Sequence, residues 1–291
     1  MVKTGQSGFF EPVDGLSLLS CERLSCLEAT VSIMARNIHF RELNEKIKAS
    51  GGDVQLDEVY GQRFIGSALK EKKLTIKGTP GNALGCYLDG AVIEVFGNAQ
   101  DAVGDTMNDG KIIIHGNAGD ALGYAMRGGS IFVRGNTGYR TGIHMKEYCS
   151  QELNLEKKPV IVIGGKAGSF LGEYLAGGLI VVLGIGAEGE VLPPGSVPLA
   201  ALPPASSPVG NFTGTGMHGG KIFIRTKKDL TALPAQVAAD IADKDDLTEI
   251  ESVVKEFAGY FGMDAESLLK DQFFVLRPNA KNPYKQLYTT N

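Results

Sequence analysis

An all-β solenoid, a parallel β-helix of about seven coils of 19 residues with a short N-terminal α/β cap and a C-terminal helix, is the fold class predicted here. Three observations predict it: a strict glycine period, paired aliphatic positions in constant register, and links too short to hold a crossover helix. Gly78, Gly97, Gly116 and Gly135 follow one another at 19 residues, and so do Gly66, Gly85, Gly104, Gly123 and Gly142. The same units continue at Gly165 and Gly172 after an 11-residue insertion, and at Gly184. A proline-rich segment then intervenes, and Gly214 restores the pattern.

The strand positions come next. Four and two places before each unit-closing position stand Leu74/Ile76, Ile93/Val95, Ile112/Ile114, Ile131/Val133, Ile161/Ile163, Ile180/Val182 and Ile222/Ile224, all aliphatic. Period-2 burial repeated in one register argues for strands stacked in parallel, coil upon coil. An antiparallel meander is the rival, but alternating strand direction would not favour one register and one turn chemistry throughout.

Glycine explains the corners. The chain has 39 glycines in 291 residues, about 13% against a usual ~7%, with no collagen period. A coil this short must turn sharply and identically, which calls for positive φ or close backbone approach. Asn98, Asn117 and Asn136 should stack at the strand spacing of ~4.8 Å as a ladder of side-chain amides. Asp101 and Asp120 would also stack, which suggests a cation or a capped backbone N–H.

The outward strand position changes along the axis from Thr75 and Glu94 to Ile113, Phe132, Val162, Val181 and Phe223. Such an apolar stripe needs a cover. Either a partner chain supplies it, making these five residues partner-facing, or a C-terminal helix over 246–262 does so. That helix has an apparent capping box in Asp246 and Glu249 and an apolar face of Leu247, Ile250, Val253, Val254 and Phe257. The segment IHFRELNEKIKASGG reads as a short helix capping the first open coil. The chain thus divides into an arm and cap (1–58), the β-helix (59–226) and a C-terminal helical segment with a tail (227–291).

Candidate chemistry is sparse. Lys plus Arg is 29 and Asp plus Glu 33, a net charge of -4 that offers nucleic acid or anionic membrane no general attraction. The four cysteines make no disulfide framework or zinc spacing, no apolar run reaches bilayer length, and the N-terminus lacks a leader pattern, so a cytoplasmic location is expected. Two GxGxxG matches, Gly184–Gly189 and Gly214–Gly219, are not followed by the helix that a dinucleotide site requires. The weak functional candidates are His144 and Cys149, in the insertion HMKEYCSQELNLEKKP, and His218, beyond the proline-rich one. No catalytic constellation and no metal ligand set is read.

The units GNAQDAVGDTMNDGKIIIHG, GNAGDALGYAMRGGSIFVRG and GKAGSFLGEYLAGGLIVVLG resemble the GXGXG domain of the glutamate synthase large subunit. The lead-in IHFRELNEKI and the ending NPYKQLY are similar to its stand-alone archaeal-type form. The resemblance implies a right-handed parallel β-helix that scaffolds a glutaminase part and an FMN/iron–sulfur part carried on partner chains, with no cofactor bound by this chain. The structural glycines would be Gly78, Gly85, Gly97, Gly104, Gly116, Gly123, Gly135, Gly142, Gly165, Gly172, Gly184 and Gly214. The alternatives are a β-helix chain like the repeat subunit of formylmethanofuran dehydrogenase, a free-standing binding module with a possible homo-oligomeric state, and a free-standing enzyme using His144 and Cys149.

Overall fold

A computed structural model describes residues 30–150, 155–185, 207–230 and 233–279. In chain order the elements are β1 (Val31–Met34), α1 (Phe40–Ala49), β2 (Val54–Tyr60), β3 (Lys73–Thr79), β4 (Asp89–Phe96), β5 (Asp109–Ile114), β6 (Ser130–Val133), β7 (Tyr148–Ser150) and β8 (Leu155–Lys157). They continue with β9 (Val160–Ile163), β10 (Ala176–Val182), β11 (Gly219–Arg225), β12 (Val237–Ile241), α2 (Lys244–Phe261), α3 (Ala265–Lys270) and β13 (Phe273–Pro278). One sheet runs β1-β2-β3-β4-β5-β6-β9-β10-β11-β13-β12, and β7 pairs only with β8.

Pairing from β1 to β11 is parallel, so the stack is a β-solenoid and the meander is excluded. The register follows the repeat: Leu74 faces Ile93, then Ile112, Ile131, Ile161, Ile180 and Ile222 in turn. All of these are fully buried, and with their partners two residues on they form the core column. The stack begins a coil earlier than expected, because β1 and β2 already pair in parallel. Beyond β11 the direction changes: β13 pairs antiparallel with β11 and with β12.

The corners separate the glycines into two kinds. Gly123 has φ +70°, and a Cβ there would lie 2.5 Å from Cδ1 of Ile161. Gly135 lacks positive φ and is needed for close approach instead, since its Cβ would lie 2.3 Å from Oδ1 of Asn117. That oxygen is occupied: it accepts the N–H of Asn136 at 2.8 Å, as Asn98 does for Asn117 and Asn136 for Lys166. The expected amide-to-amide ladder is therefore a ladder of side-chain oxygens capping the backbone of the next coil. The carboxylates behave alike, Asp101 accepting from the N–H of Asp120 and Asp120 from that of Tyr139. Capped backbone, rather than a cation, accounts for their stacking.

Both ends are closed. Corner glycines donate their N–H to the preceding coil, as Gly85 does to the Ile65 carbonyl. Gly66 has no such coil behind it, and Oδ1 of Asn44 on α1 accepts its N–H at 2.9 Å. Leu43 and Ile47 of α1 are buried over that opening. At the far end Val237 covers the last corner, with Cγ2 2.9 Å from where a Cβ of Gly214 would sit.

The apolar stripe is covered from within the chain. Ile113, Phe132, Val162, Val181 and Phe223 are buried beneath Ile250, Val254, Phe257 and Phe261 of α2 and Phe273 and Val275 of β13. The helix begins one turn before the expected box. Its N-cap is Asp243, whose side chain accepts the N–H of Asp246 while Asp246 reaches back to the N–H of Asp243, and Gly262 ends it in the left-handed region. Glu249 instead pairs with Lys158 and Lys221, both at 2.6 Å, and Glu256 pairs with Lys111, so lysines from alternate coils hold one side of the helix.

Asp246 ties that cap to the sheet. It is 5% exposed and accepts from Arg277 at 2.5 Å and Lys221 at 3.4 Å. Burial alone would raise its carboxyl; the hydrogen bonds from Arg277 and the Asp243 backbone, with the charges of Arg277 and Lys221, outweigh that and hold it below the ordinary value. A depressed native pKa stabilises the fold above the unfolded value of about 4 and is lost as pH falls through the native one. The melting temperature should accordingly fall as pH drops from about 5 to about 3. Asp246→Asn should lower it at neutral pH and flatten that acid limb, which thermal melts of both proteins across pH would read out.

Candidate functional site: an aromatic corner face

Each corner holds more than one residue with positive φ. The positions two before and two after the corner glycine adopt it as well: Ala83 and Tyr87 around Gly85, Ala102 and Thr106 around Gly104, Ala121 and Ala125 around Gly123. Their N–H groups bond to carbonyls of the following coil, as Ala102 does to Asp120. The left-handed geometry is thus enforced by the stack, and small residues tolerate it at lowest cost.

Bulky residues take the same slots at Phe64 and Tyr87, and in the later coils they do so without interruption. Arg140 and His144 flank Gly142, Phe170 and Tyr174 flank Gly172, and Phe212 precedes Gly214, with φ between 54° and 62°. Arg140 and His144 donate their N–H groups to the carbonyls of Ser169 and Glu173, each at 3.0 Å. Tyr174 and Phe170 do the same to Thr215 and Asn211. Left-handed backbone at a bulky residue costs on the order of 1 kcal/mol or more.

Their side chains lie together on the surface. The His144 ring stacks on Tyr174 with centroids 5.0 Å apart and 14° between planes, and Tyr124 meets it edge-on at 6.1 Å. Phe170 stacks on Phe212 at 5.1 Å, and the Arg140 guanidinium lies 5.5 Å over Phe170 while its Nε donates to Glu173 at 3.0 Å. Tyr124, Tyr139 and Phe212 are 41%, 57% and 54% exposed. This is an apolar and aromatic surface with a cationic component, built on residues whose backbone is held rigidly.

Of the sequence candidates, His144 belongs to this face. Cys149 lies in β7, opposite Glu156 of β8, and its side chain is outside the described structure. The ring neighbours of His144 among the described residues are Tyr124 and Tyr174. His218 is exposed on the last coil, its Nδ1 3.3 Å from the Gly216 carbonyl, and is not brought to His144. Gly214–Gly219 leads into β11, a strand, while Gly186–Gly189, most of the proline-rich segment, the N-terminal arm and the NPYKQLY ending lie outside the described residues. Cys86 is buried, which pushes its thiol up, and donates to Ser67 at 3.2 Å. Among the described residues no cluster of His, Cys, Asp or Glu is arranged to hold a metal, and no helix is long and apolar enough to cross a membrane.

Fold and corner chemistry together define a glycine-cornered parallel β-helix with a rigid aromatic surface. The GXGXG motif family model matches residues 41–279, and the chain belongs to that family. It is 46% identical over 272 residues to a Methanocaldococcus jannaschii protein named Uncharacterized protein MJ1350, covering 89% of this chain and 96% of that one. In fold it is similar to a chain of the formyltransferase/hydrolase complex of Methylorubrum extorquens, solved with methylofuran. The TM-score there is 0.55 at 18% identity, over 84% of this chain and 93% of the other.

Proposed function

We propose that this chain is a non-catalytic assembly subunit of a glutamate synthase-type oxidoreductase, and that the aromatic corner face is where a partner chain docks. The observation that carries this reading is the run of Arg140, His144, Phe170, Tyr174 and Phe212 in the left-handed slots of the last coils, where their side chains stack on one another, while Ala83, Ala102, Ala121 and Ala125 show that alanine also fits these slots. The corner does not need those side chains to close, so their backbone strain serves the surface they form. Exposed, rigid rings are the residue type that dominates binding energy at interfaces. In this reading the glutaminase and FMN/iron–sulfur parts, with the flavin and the cluster, reside on partner chains. Membership in the family and the resemblance of the units to the glutamate synthase domain support it.

A second reading, a β-helix subunit of a formyl-transferring assembly such as formylmethanofuran dehydrogenase, is favoured by the fold likeness to a chain of the formyltransferase/hydrolase complex. One experiment separates the two. The full chain, tagged and recovered from its native cells, should bring down partner chains identified by mass spectrometry. A yellow eluate with a glutaminase-type or FMN-binding chain supports the first reading, and a formyltransferase- or hydrolase-type chain the second. His144→Ala with Tyr174→Ala, alanine being a residue the same slots already accept, should abolish recovery without lowering the melting temperature. Recovery of the chain alone, or undiminished recovery by the double variant, would count against docking at this face.

A further inference from the structure

One cleft of about 420 Å³ lies where the internal repeat is broken in a concerted way, lined by Thr137, Tyr139, Lys166, Ser169, Ser207 and Val209 among others. In the preceding coils the corresponding columns read Asn98, Asn117 and Asn136; Ala99 and Ala118; and Asp101 and Asp120. At the cleft the asparagine column becomes Lys166, the aspartate column becomes Tyr139 and then Ser169, and the alanine column is interrupted by Thr137. Acceptors and carboxylates give way to donors and a cation, and no Asp or Glu is among the described residues that line the cleft.

The donors are free to act outward. Oγ of Ser169 already accepts the N–H of Asn211 at 3.1 Å, and Oγ of Ser207 that of Val209 at 3.3 Å, so each hydroxyl keeps its proton to donate. The N–H groups of Thr137, Gly138, Ala167, Gly168 and Gly210 are used up between coils. The Lys166 ammonium has no hydrogen-bond or ion-pair partner among the described residues. Thr137 is 6% exposed, and its Oγ1 is the one buried side-chain polar atom without a hydrogen-bond partner among them. Such an orphan is costly, and the repeat offers alanine, which would avoid it.

We infer that this cleft is a binding site for a small molecule bearing one terminal oxyanion group, a carboxylate or a phosphate, with an apolar portion against Tyr139 and Val209. The ammonium of Lys166 and the hydroxyls of Ser169, Ser207 and Thr137 meet the oxygens, and the volume suits a small metabolite. The site shares Tyr139 with the aromatic face but does not rest on the partner-docking reading and requires no partner chain.

Titration calorimetry of the full chain with inorganic phosphate, benzoate and the uncharged analogue benzamide tests it. Saturable binding of phosphate or of benzoate, with benzamide not bound, is expected, and which anion binds identifies the oxyanion. Two variants restore the residue of the repeat itself: Lys166→Asn and Thr137→Ala. Each should raise Kd at least about tenfold, the scale of a lost charge-assisted or buried hydrogen bond. Neither should lower the melting temperature, and Thr137→Ala should raise it. Absence of saturable binding by both anions, equal binding of benzamide, or undiminished binding in Lys166→Asn would each overturn the assignment.

Discussion

Gly123→Val should cost the protein at least about 3 kcal/mol, the sum of a β-branched residue forced into the left-handed region and an overpacked interior. Gly123 has φ +70°, and its N–H is already committed to the Val103 carbonyl at 2.7 Å, so the corner cannot rotate away without losing a coil-to-coil bond. The new Cβ would lie 2.5 Å from Cδ1 of Ile161, in the core column one coil on. For a chain of this size the melting temperature should drop by roughly 6–12 °C. A double-mutant cycle separates the two causes. Ile161→Val removes the clashing methyl, so Gly123→Ala combined with it should destabilise by less than the sum of the single changes. Strict additivity would mean that backbone strain alone is at work, and an unchanged melt in Gly123→Val would remove the corner from its assigned place.

Why the β-helix is legible in the sequence follows from that contact. Every corner glycine but the last, Gly214, sits against the Cδ1 of a strand isoleucine from a later coil, as Gly85 does against Ile112, Gly104 against Ile131, Gly142 against Ile180 and Gly172 against Ile222. A periodic structure repeats its steric constraints, and so glycine and isoleucine recur in the sequence with one spacing. Departures from the period are harder to weigh. The frame Asp246–Glu249 and the frame Asp243–Asp246 both look like a helix start, and the choice between them is made by Lys158 and Lys221, far away in sequence, which engage Glu249. In the same way, an apolar stripe announces a cover without saying whether the cover belongs to the same chain.

The aromatic face is only partly readable. His144 stands out because it opens an insertion, whereas Arg140, Phe170, Tyr174 and Phe212 carry no such mark and are missed. A signal for them exists in the aligned units, where the residue two before the corner glycine reads Phe64, then Ala83, Ala102 and Ala121, and then Arg140, Phe170 and Phe212. Reading it requires knowing that this slot has positive φ, a property glycine alone usually advertises. Thr137 and Lys166 are missed for a related reason: each is an ordinary residue, and only the side-chain ladders of neighbouring coils make the substitution a change from acceptor to donor.

Phe257→Ala should be the most damaging change outside the coils, because α2 has no sheet of its own and is held to the β-helix by what its apolar face buries. Phe257 is fully buried, its ring 4.8 Å from Phe261, and it fills the space beside Gly164, where a Cβ would fall 2.8 Å from its Cζ. Truncation removes the one fully buried aromatic side chain of the helix from the cluster it forms with the stripe and leaves a cavity beside Gly164, at a cost of about 3–5 kcal/mol. The ion pairs of Lys111, Lys158 and Lys221 will not compensate, since partly exposed pairs contribute about 1 kcal/mol or less each. Urea unfolding should show the loss, and an apolar fluorescent dye should bind the variant in native buffer where it ignores the parent, because the loosened helix uncovers the stripe. Lys255→Ala, on the exposed side of the same helix, should stay within about 0.5 kcal/mol. Stability unchanged in Phe257→Ala would mean that the helix does not close the stripe in solution, and would return Ile113, Phe132, Val162, Val181 and Phe223 to the surface a partner could use.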